Sequence, residues 1–359
     1  MNNTVLEVNI NKFFNNIEKI KNYCPNKEIM PVIKANAYGT YLNKRLDILN
    51  HFNIVAVAKV KEARELREIG YKKEIFVLNQ PLIEELDEIT NQNITVGLSE
   101  IEFLKKVNKP IKVHLEIETG MNRTGIQLKH LNDFTKEIKK NKNVIVEGIY
   151  THFSSADNDS EYTKKQFQLF QKAKEEVEKN FSLKYIHCSA SNGILNVKED
   201  VTNMIRPGLL IYGYEPFSKA KDRIPVEEIT ELKTRIVYIK DIEEGESISY
   251  NRNYQTEKKM KVATIPIGYA DGLRRELTNV GEVFIKGEKR KILGSICMDS
   301  CVIDVTDLDV KVGDIVTIWD NKNITVEEIA QKCNTISYEI LSTISERVER
   351  YFKEDKKIS

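Results

Sequence analysis

The residue with the most informative surroundings is Lys34, in the segment PVIKANAYG at residues 31–39. It follows an apolar run and enters a segment that contains a glycine, as a residue at the end of a strand does. At the mouth of a barrel, the low dielectric disfavours the charged amine and lowers its pKa. A neutral amine attacks carbonyl groups, so Schiff-base chemistry is open to Lys34. The same pattern also fits a lysine that only extends its ammonium group into solvent.

Between about residues 5 and 215, short apolar runs alternate with charged segments of helical period. Strand candidates lie at residues 29–33, 53–60, 75–78, 94–96, 111–115, 144–146, 183–186 and around 204–211. Helix candidates include residues 61–69, closed by Gly70, and 157–180. About eight βα units over about 200 residues predict an α/β fold of the TIM type, a (β/α)8 barrel. A doubly wound parallel sheet gives the same alternation and stays open as an alternative.

After about residue 225 the helical segments become rare, and strand patterns are separated by charged turns. Strand candidates lie at residues 234–239, 260–265, 283–285, 301–305 and 315–319, with one helix at 325–332. This pattern predicts a mainly β C-terminal domain. We therefore expect the barrel at residues 1–225 and the mainly β domain at 226–359, with a solvated tail from residue 349 onward.

Composition and charge exclude several classes of protein. Of 359 residues, 41% are hydrophobic, which rules out a mostly disordered chain. Lys plus Arg number 55 and Asp plus Glu 54, and this net charge of +1 gives no signature for nucleic acid or an anionic membrane. No apolar run reaches the ~18 residues of a membrane span, and residues 1–11 lack the apolar core of a secretory signal. Five scattered cysteines predict reduced thiols and no metal site, so we expect a cytoplasmic protein.

Seven short motifs follow one another along the chain. They are PVIKANAYG (31–39), ETGMNRTG (118–125), GIYTHF (148–153), RPG (206–208), SY (249–250), IGYADG (267–272) and CMD (297–299). In these motifs and their order the chain resembles the alanine racemase family, which binds pyridoxal 5'-phosphate (PLP). The resemblance implies a barrel followed by a β domain, in agreement with the pattern of elements. It also implies a PLP-dependent amino-acid racemase and a homodimer with shared active sites.

The resemblance assigns a set of residues to the cofactor. These are Lys34, Tyr38, His152, Ser191, Arg206, Gly208 and Leu209. Lys34 would hold PLP through a Schiff base, and the remaining residues would bind its phosphate and surround its ring. Arg206 would face the ring nitrogen, and because an arginine cannot accept a proton, that nitrogen would stay unprotonated. This weakens carbanion stabilisation and favours quick reprotonation over transamination.

The resemblance also implies a two-base mechanism. Lys34 would serve the face of the D-enantiomer, and Tyr250 of the partner subunit would serve the opposite face. Arg123 would contact the cofactor's phenolate oxygen and the substrate carboxylate. The main-chain N–H of the partner's Met298 would bind the same carboxylate, and Tyr269 would line the entrance.

Four places depart from the pattern of many relatives, and one of them is Thr40-Tyr41, where histidine and glycine usually follow the lysine segment. Glu116 stands where they carry a carbamylated lysine, and we expect this built-in anion to orient Arg123 without carbamylation. Glu346 stands where alanine-selective relatives have a tyrosine, and Ser295 replaces a frequent entrance arginine. These changes predict a wider, more acidic mouth with Glu346 as a substrate contact. The preferred or additional substrate would then be serine, lysine or ornithine, whereas a solvent-facing Glu346 would leave alanine preferred.

Other functions fit parts of the pattern. A PLP-binding module without turnover would lack the second domain. A basic amino-acid decarboxylase shares the two-domain plan but predicts an acidic residue at the ring nitrogen, where this chain has Arg206. A Schiff-base aldolase would use Lys34 without PLP, and a purely structural protein would not need the seven motifs.

Overall fold

A computed structural model describes residues 4–197, 201–215 and 224–354. The strands up to residue 215 are β1 (Val5–Asn9), β2 (Glu28–Ile29), β3 (Ile54–Val57), β4 (Glu74–Val77), β5 (Thr95–Leu98), β6 (Ile111–Glu118), β7 (Ile126–Gln127), β8 (Val144–Tyr150), β9 (Tyr185–His187) and β10 (Met204–Ile205). The helices of this part are α1 (Ile10–Tyr23), α2 (Lys34–Tyr38), α3 (Leu46–Leu49), α4 (Val60–Glu68), α5 (Leu86–Asn91), α6 (Ile101–Lys106), α7 (Leu128–Lys140), α8 (Ser160–Glu178) and α9 (Ser191–Asn196).

The parallel strands of this part form a closed ring. Strands β3, β4, β5, β6, β8 and β9 pair in that order, and β10 pairs with β2. Two parallel bridges complete the circle, Val32 with Ala56 and Ala190 with Arg206. The predicted TIM-type (β/α)8 barrel is therefore confirmed, and the doubly wound alternative is wrong because an open sheet would leave two edges.

Helix α8 shows how the local sequence produces the outer layer. Asp159 caps the helix by accepting a hydrogen bond from the N–H of Tyr162 at 2.8 Å. Phe170, Ala173 and Val177 are buried and recur on one face of the helix. The predicted helix at 157–180 is thus present, with both ends two to three residues shorter.

The C-terminal part is mainly β, as predicted. Its strands are β11 (Thr230–Arg235), β12 (Tyr238–Ile242), β13 (Ser247–Ile248), β14 (Tyr254–Gln255), β15 (Met260–Ile265), β16 (Glu282–Ile285), β17 (Glu288–Leu293), β18 (Cys301–Asp304), β19 (Ile315–Trp319) and β20 (Glu349–Lys353). Its helices are α10 (Val326–Lys332) and α11 (Ser337–Ser342). A nine-stranded sheet runs in the order β12-β15-β18-β17-β16-β19-β11-β1-β20.

The two ends of the chain meet in this sheet. Strand β1 pairs antiparallel with β11 and parallel with β20. The first strand therefore belongs to the C-terminal sheet, although we expected residues 1–225 to form the barrel. Residues 349–353 of the expected solvated tail form β20, whose residues alternate between exposed and half-buried, and residues 355–359 lie outside the described part. The division of the chain near residue 225 stays a prediction.

Among the described residues, no helix combines the length and the apolar character needed to cross a lipid bilayer.

Candidate active site

The carboxyl ends of the barrel strands surround a cavity of about 170 Å³. All seven residues predicted to hold PLP line it, together with Arg123. Lys34 follows β2, His152 follows β8, and Arg206 follows β10. In a parallel barrel these strand ends form the face on which active sites are built.

Lys34 begins an unusual turn of chain. Ala35, Asn36, Ala37 and Tyr38 all have φ between 52° and 56°, which places them in the left-handed helical region. Each non-glycine residue in this conformation costs about 1–2 kcal/mol, so neighbouring groups must hold the turn. One such group is Glu62, whose Oε1 accepts a hydrogen bond from the N–H of Ala35 at 2.7 Å.

The surroundings of Lys34 favour its neutral amine. Burial lowers the pKa of the amine, and the positive charges of Arg123 and Arg206 lower it further. The carboxylate of Glu62 opposes this shift. The direction agrees with the expectation that Lys34 acts as a nucleophile and as a base.

Arg206 is 1% exposed and has neutral partners. Its guanidinium contacts His187 Nδ1 at 2.7 Å and His152 Nδ1 at 3.3 Å. It also donates to the carbonyl oxygens of Thr151 at 2.9 Å and Cys188 at 3.2 Å. Within the described residues it forms no ion pair with a carboxylate. The charge of Arg206 therefore acts on the cavity without an ion-paired counter-charge, and Glu116 in the cavity wall interacts with it electrostatically.

The arginine fixes the protonation of the imidazoles behind it. A guanidinium only donates, so His187 accepts at Nδ1 and carries its proton on Nε2. That proton is donated to His114 Nδ1 over 2.8 Å, which leaves the His114 proton on Nε2. Burial lowers the pKa of His114 to about 3, aided by the charge of Arg206, and lowers that of His187 well below its usual value. The chain Arg206–His187–His114 is thus a cation backed by two neutral rings.

A second group of residues forms a cradle suited to a phosphate. The Ser191 hydroxyl lies within 3.1 Å of the Gly208 N–H, and the Tyr38 phenol lies beside the same backbone. A Cβ added to Gly208 would lie 2.3 Å from the Tyr38 oxygen, so only glycine permits this approach. Hydroxyls and a main-chain N–H converging on one point suit a phosphate. The residues present therefore fit PLP.

Glu116 and Arg123 line the same cavity, but no ion pair joins them among the described contacts. Oε1 of Glu116 accepts from the Thr124 hydroxyl at 2.9 Å, and Oε2 is buried without a partner. Burial raises the pKa of the Glu116 carboxyl, while Thr124 and Arg123 oppose the shift. The expected orientation of Arg123 by a direct hydrogen bond is therefore absent from this single subunit.

Tyr250, Tyr269 and Met298 lie on a different surface. They are exposed, by 69%, 45% and 52% respectively. Tyr250 and Met298 line a second cavity, of about 480 Å³, on the C-terminal domain, and the Tyr269 N–H donates to the Cys297 carbonyl at its edge. Hence one subunit brings together the cofactor residues, whereas the residues predicted to act on a partner's site form a separate exposed group.

Comparison with known proteins identifies the family. A model of the alanine racemase N-terminal domain matches residues 8–216, and a model of the C-terminal domain matches residues 229–352. The chain belongs to the alanine racemase family. It is 36% identical to the alanine racemase of Methanococcus maripaludis, over 96% of this chain and 97% of that protein. It is 37% identical to that of Clostridium perfringens, over 98% and 96%.

Solved structures of the alanine racemase family have the same fold. The alanine racemase of Clostridium difficile 630 has a TM-score of 0.93 at 34% identity, covering 99% of this chain and 97% of that one. The alanine racemase of Bacillus anthracis with bound L-Ala-P has a TM-score of 0.93 at 30% identity, covering 99% and 96%.

Ser295 and Glu346, two of the departures from the family pattern, do not lie at the cavity where the sequence predicted them. Ser295 is only 2% exposed, donates to the Tyr250 carbonyl at 3.1 Å and accepts from Asn253 at 2.6 Å, so it supports the Tyr250 loop. Glu346 is exposed and does not line the cavity. A tyrosine does line it, namely Tyr338 of α11. The expected widening of the pocket by these positions therefore has no support in this subunit.

Some site residues of this family member were missed by the sequence analysis. Tyr338 lies in a six-residue helix that carries no motif, and only packing of α11 against α2 brings it to the cavity. Tyr150 stacks on His187 with a ring separation of 5.1 Å. His114 lies in none of the seven motifs, yet it comes two residues before Glu116 on β6, a spacing that places both side chains on one face of a strand.

Proposed function

We propose that the chain interconverts L-alanine and D-alanine, with PLP as cofactor and a homodimer as the active form. One observation carries the proposal. A lysine with a lowered amine pKa, an arginine with no carboxylate partner in the described part of the chain, and a phosphate cradle all line one cavity. Membership of the alanine racemase family gives this cavity its function.

The residues of the cavity divide the binding of PLP among them. Lys34 would hold it covalently, and Ser191, Tyr38 and the Gly208 main chain would bind its phosphate. Arg206 would donate to its ring nitrogen. When bound, PLP supplies an electron sink that acidifies the proton on the substrate Cα.

Two bases on opposite faces of Cα then invert its configuration. Lys34 Nζ removes or returns the proton on one face, and Tyr250 Oη does so on the other. Tyr250 is too exposed in one subunit to do this alone, which supports its contribution to the site of a second copy. Arg123 in the cavity wall and the Met298 N–H at the same exposed face would bind the substrate carboxylate.

No observation favours serine, lysine or ornithine over alanine. The argument for a wider pocket depended on Glu346 and Ser295, and neither lines the cavity. A contribution of Glu346 to a partner's site stays a prediction, as does a cytoplasmic location.

Chiral chromatography tests the proposal. PLP-loaded protein is incubated separately with L-alanine, L-serine, L-lysine and L-ornithine, and the D-enantiomers are measured. We expect D-alanine to form fastest, and Lys34→Ala to form none. Faster formation of another D-amino acid would refute the substrate, and no racemisation of any of the four would refute the activity.

A further inference from the structure

Residues 344–350, which follow α11 and include the first two residues of β20, connect the cofactor cavity to the exposed Tyr250 face. Two arginines in this segment make the connections. Arg350 faces the turn that follows Lys34, and Arg347 faces the loops that carry Tyr269 and Met298. Neither arginine lines either cavity.

Arg350 joins the segment to the lysine turn. Its Nε donates to the Gly39 carbonyl at 3.0 Å, directly after the left-handed residues. Its remaining nitrogens donate to the carbonyls of Ile344 at 2.7 Å, Ser345 at 2.5 Å and Val348 at 2.6 Å. The guanidinium also lies 4.3 Å from the ring centre of Tyr41.

These contacts hold a strained element. Several residues of α2 are in the left-handed region, which persists only where the surroundings enforce it. Arg350 fixes the end of the turn through Gly39, while Glu62 fixes its beginning through Ala35. Because Lys34 and Tyr38 bracket the turn, its relaxation would displace both the amine and a phosphate ligand.

Arg347 joins the segment to the exposed loops. Its guanidinium forms ion pairs with Asp299 at 2.6 Å and with Asp271 at 3.3 Å. Asp271 in turn accepts from the Gly268 N–H at 2.9 Å, and the Met298 carbonyl accepts from the Ala270 N–H at 3.0 Å. The loops of Tyr269 and Met298 are thus bound to each other and to Arg347.

We propose that Arg350 and Arg347 are positioning residues that act on different active sites of the dimer. Arg350 holds the Lys34 turn of its own subunit, and Arg347 holds the Met298 and Tyr269 loops that enter the partner's site. The inference rests on the proposed shared-site dimer. It makes residues 344–350 a mechanical link between the two sites.

Single variants give each arginine a distinct signature. Arg350→Gln should lower kcat on the order of 10²-fold and speed the loss of PLP on dialysis, because the amine and phosphate ligands shift together. Arg347→Gln should raise KM for alanine about 10-fold and weaken inhibition by propionate equally, with PLP retention unchanged. Arg347→Lys should recover part of this loss.

Arg45→Gln is the matched control. Arg45 also lies over an aromatic ring, that of Phe352 in β20, and pairs with Asp47 and Glu354. It forms no described hydrogen bond to the lysine turn or to residues 344–350, so its variant should keep wild-type kcat, KM and PLP retention. Equal losses of activity and PLP retention in all three glutamine variants would show that both arginines only stabilise the fold. That result would overturn the inference.

Hybrid dimers separate the two sites. Each variant is co-expressed with Lys34→Ala under a second affinity tag, and heterodimers are purified through both tags. Arg347→Gln paired with Lys34→Ala should have about half the wild-type activity, because one site combines an intact lysine with intact loops. Arg350→Gln paired with Lys34→Ala should have about half the already low activity of the Arg350→Gln homodimer, because its only site with an intact lysine has the displaced turn.

Tyr250→Phe paired with Lys34→Ala tests the shared active site separately from the roles of Arg347 and Arg350. It should also reach about half of wild-type activity if the site is shared. An inactive control hybrid would refute the shared site, and this inference with it. An active control combined with no recovery for Arg347→Gln, or with recovery for Arg350→Gln, would overturn the inference alone.

Discussion

At the scale of single residues, the site is organised around a buried positive charge. Arg206 contacts imidazole rings, carbonyl groups and the face of the Tyr150 ring, and no carboxylate is hydrogen-bonded to it among the described residues, so its charge is available to the cavity. The same charge and burial keep His114, His152 and His187 neutral by lowering their pKa values. An aminotransferase-like site would instead require a carboxylate at this point.

The neutral His114 predicts a pH dependence of stability. Its pKa is about 3 in the folded protein and about 6.5 when unfolded. Below pH 6.5 the unfolded ring gains a proton that the folded ring does not. The contribution of His114 to the free energy of unfolding is therefore full above pH 6.5 and is lost progressively between pH 6.5 and pH 3. In that range the free energy of unfolding decreases by about 1.4 kcal/mol for each pH unit.

Urea unfolding between pH 4.5 and 7 measures this slope. His114→Gln should flatten it by about that amount. An identical slope for the wild type and His114→Gln would contradict the assignment.

Glu116 predicts independence from bicarbonate. Thr124 and the positive charge of Arg123 both favour the ionised carboxyl against the effect of burial, although no ion pair joins Glu116 to Arg123 among the described contacts, so the chain itself supplies an acidic group in this cavity. Protein prepared without bicarbonate should be fully active, and Glu116→Gln should lower kcat/KM about 10-fold. Loss of activity in bicarbonate-free buffer, restored on adding bicarbonate, would contradict this prediction.

At the scale of elements, the lysine turn is the most constrained part of the site. Gly39 has φ of 78°, and an added Cβ would lie 2.1 Å from the Leu341 carbonyl oxygen of α11. Helix α11 therefore closes on the turn only because residue 39 is glycine.

A pair of glycine variants tests this close approach. Gly39→Ala should lower the free energy of unfolding by about 3–5 kcal/mol, since steric overlap adds to the backbone penalty. Gly287→Ala should cost only about 1–2 kcal/mol, because φ is 87° there but nothing lies within 4 Å. Thermal and urea unfolding of both variants measure the difference, and equal losses would show that α11 does not constrain the turn.

Local patterns were sufficient to predict most elements, whereas the residues expected to hold the cofactor came from the resemblance to the alanine racemase family. The barrel strands are short apolar runs, and Lys34, Arg206 and Gly208 lie in motifs at their ends. The pairing of β1 with β20 was not predictable, because it joins segments more than 300 residues apart and depends on sheet closure. Tyr338 was missed for the same reason, since its role depends on how α11 docks.

At the scale of the whole molecule, one subunit contains only part of the proposed machinery. The cofactor residues line a cavity in the barrel, and Tyr250 and Met298 lie exposed on the C-terminal domain. A second copy would bury those side chains and complete each site. Residues 344–350 connect the two regions, so a change at one site has a physical route to the other.

The central claim is that Lys34 and Tyr250 serve opposite faces of the substrate. Exchange of the Cα hydrogen in D2O, followed by mass spectrometry and chiral chromatography, measures each base separately. Tyr250→Phe should still exchange the Cα hydrogen of D-alanine through Lys34. It should exchange the Cα hydrogen of L-alanine about 10²–10⁴-fold more slowly than the wild type, and it should racemise neither enantiomer at a significant rate. Racemisation of both enantiomers by Tyr250→Phe at the wild-type rate would contradict the two-base account.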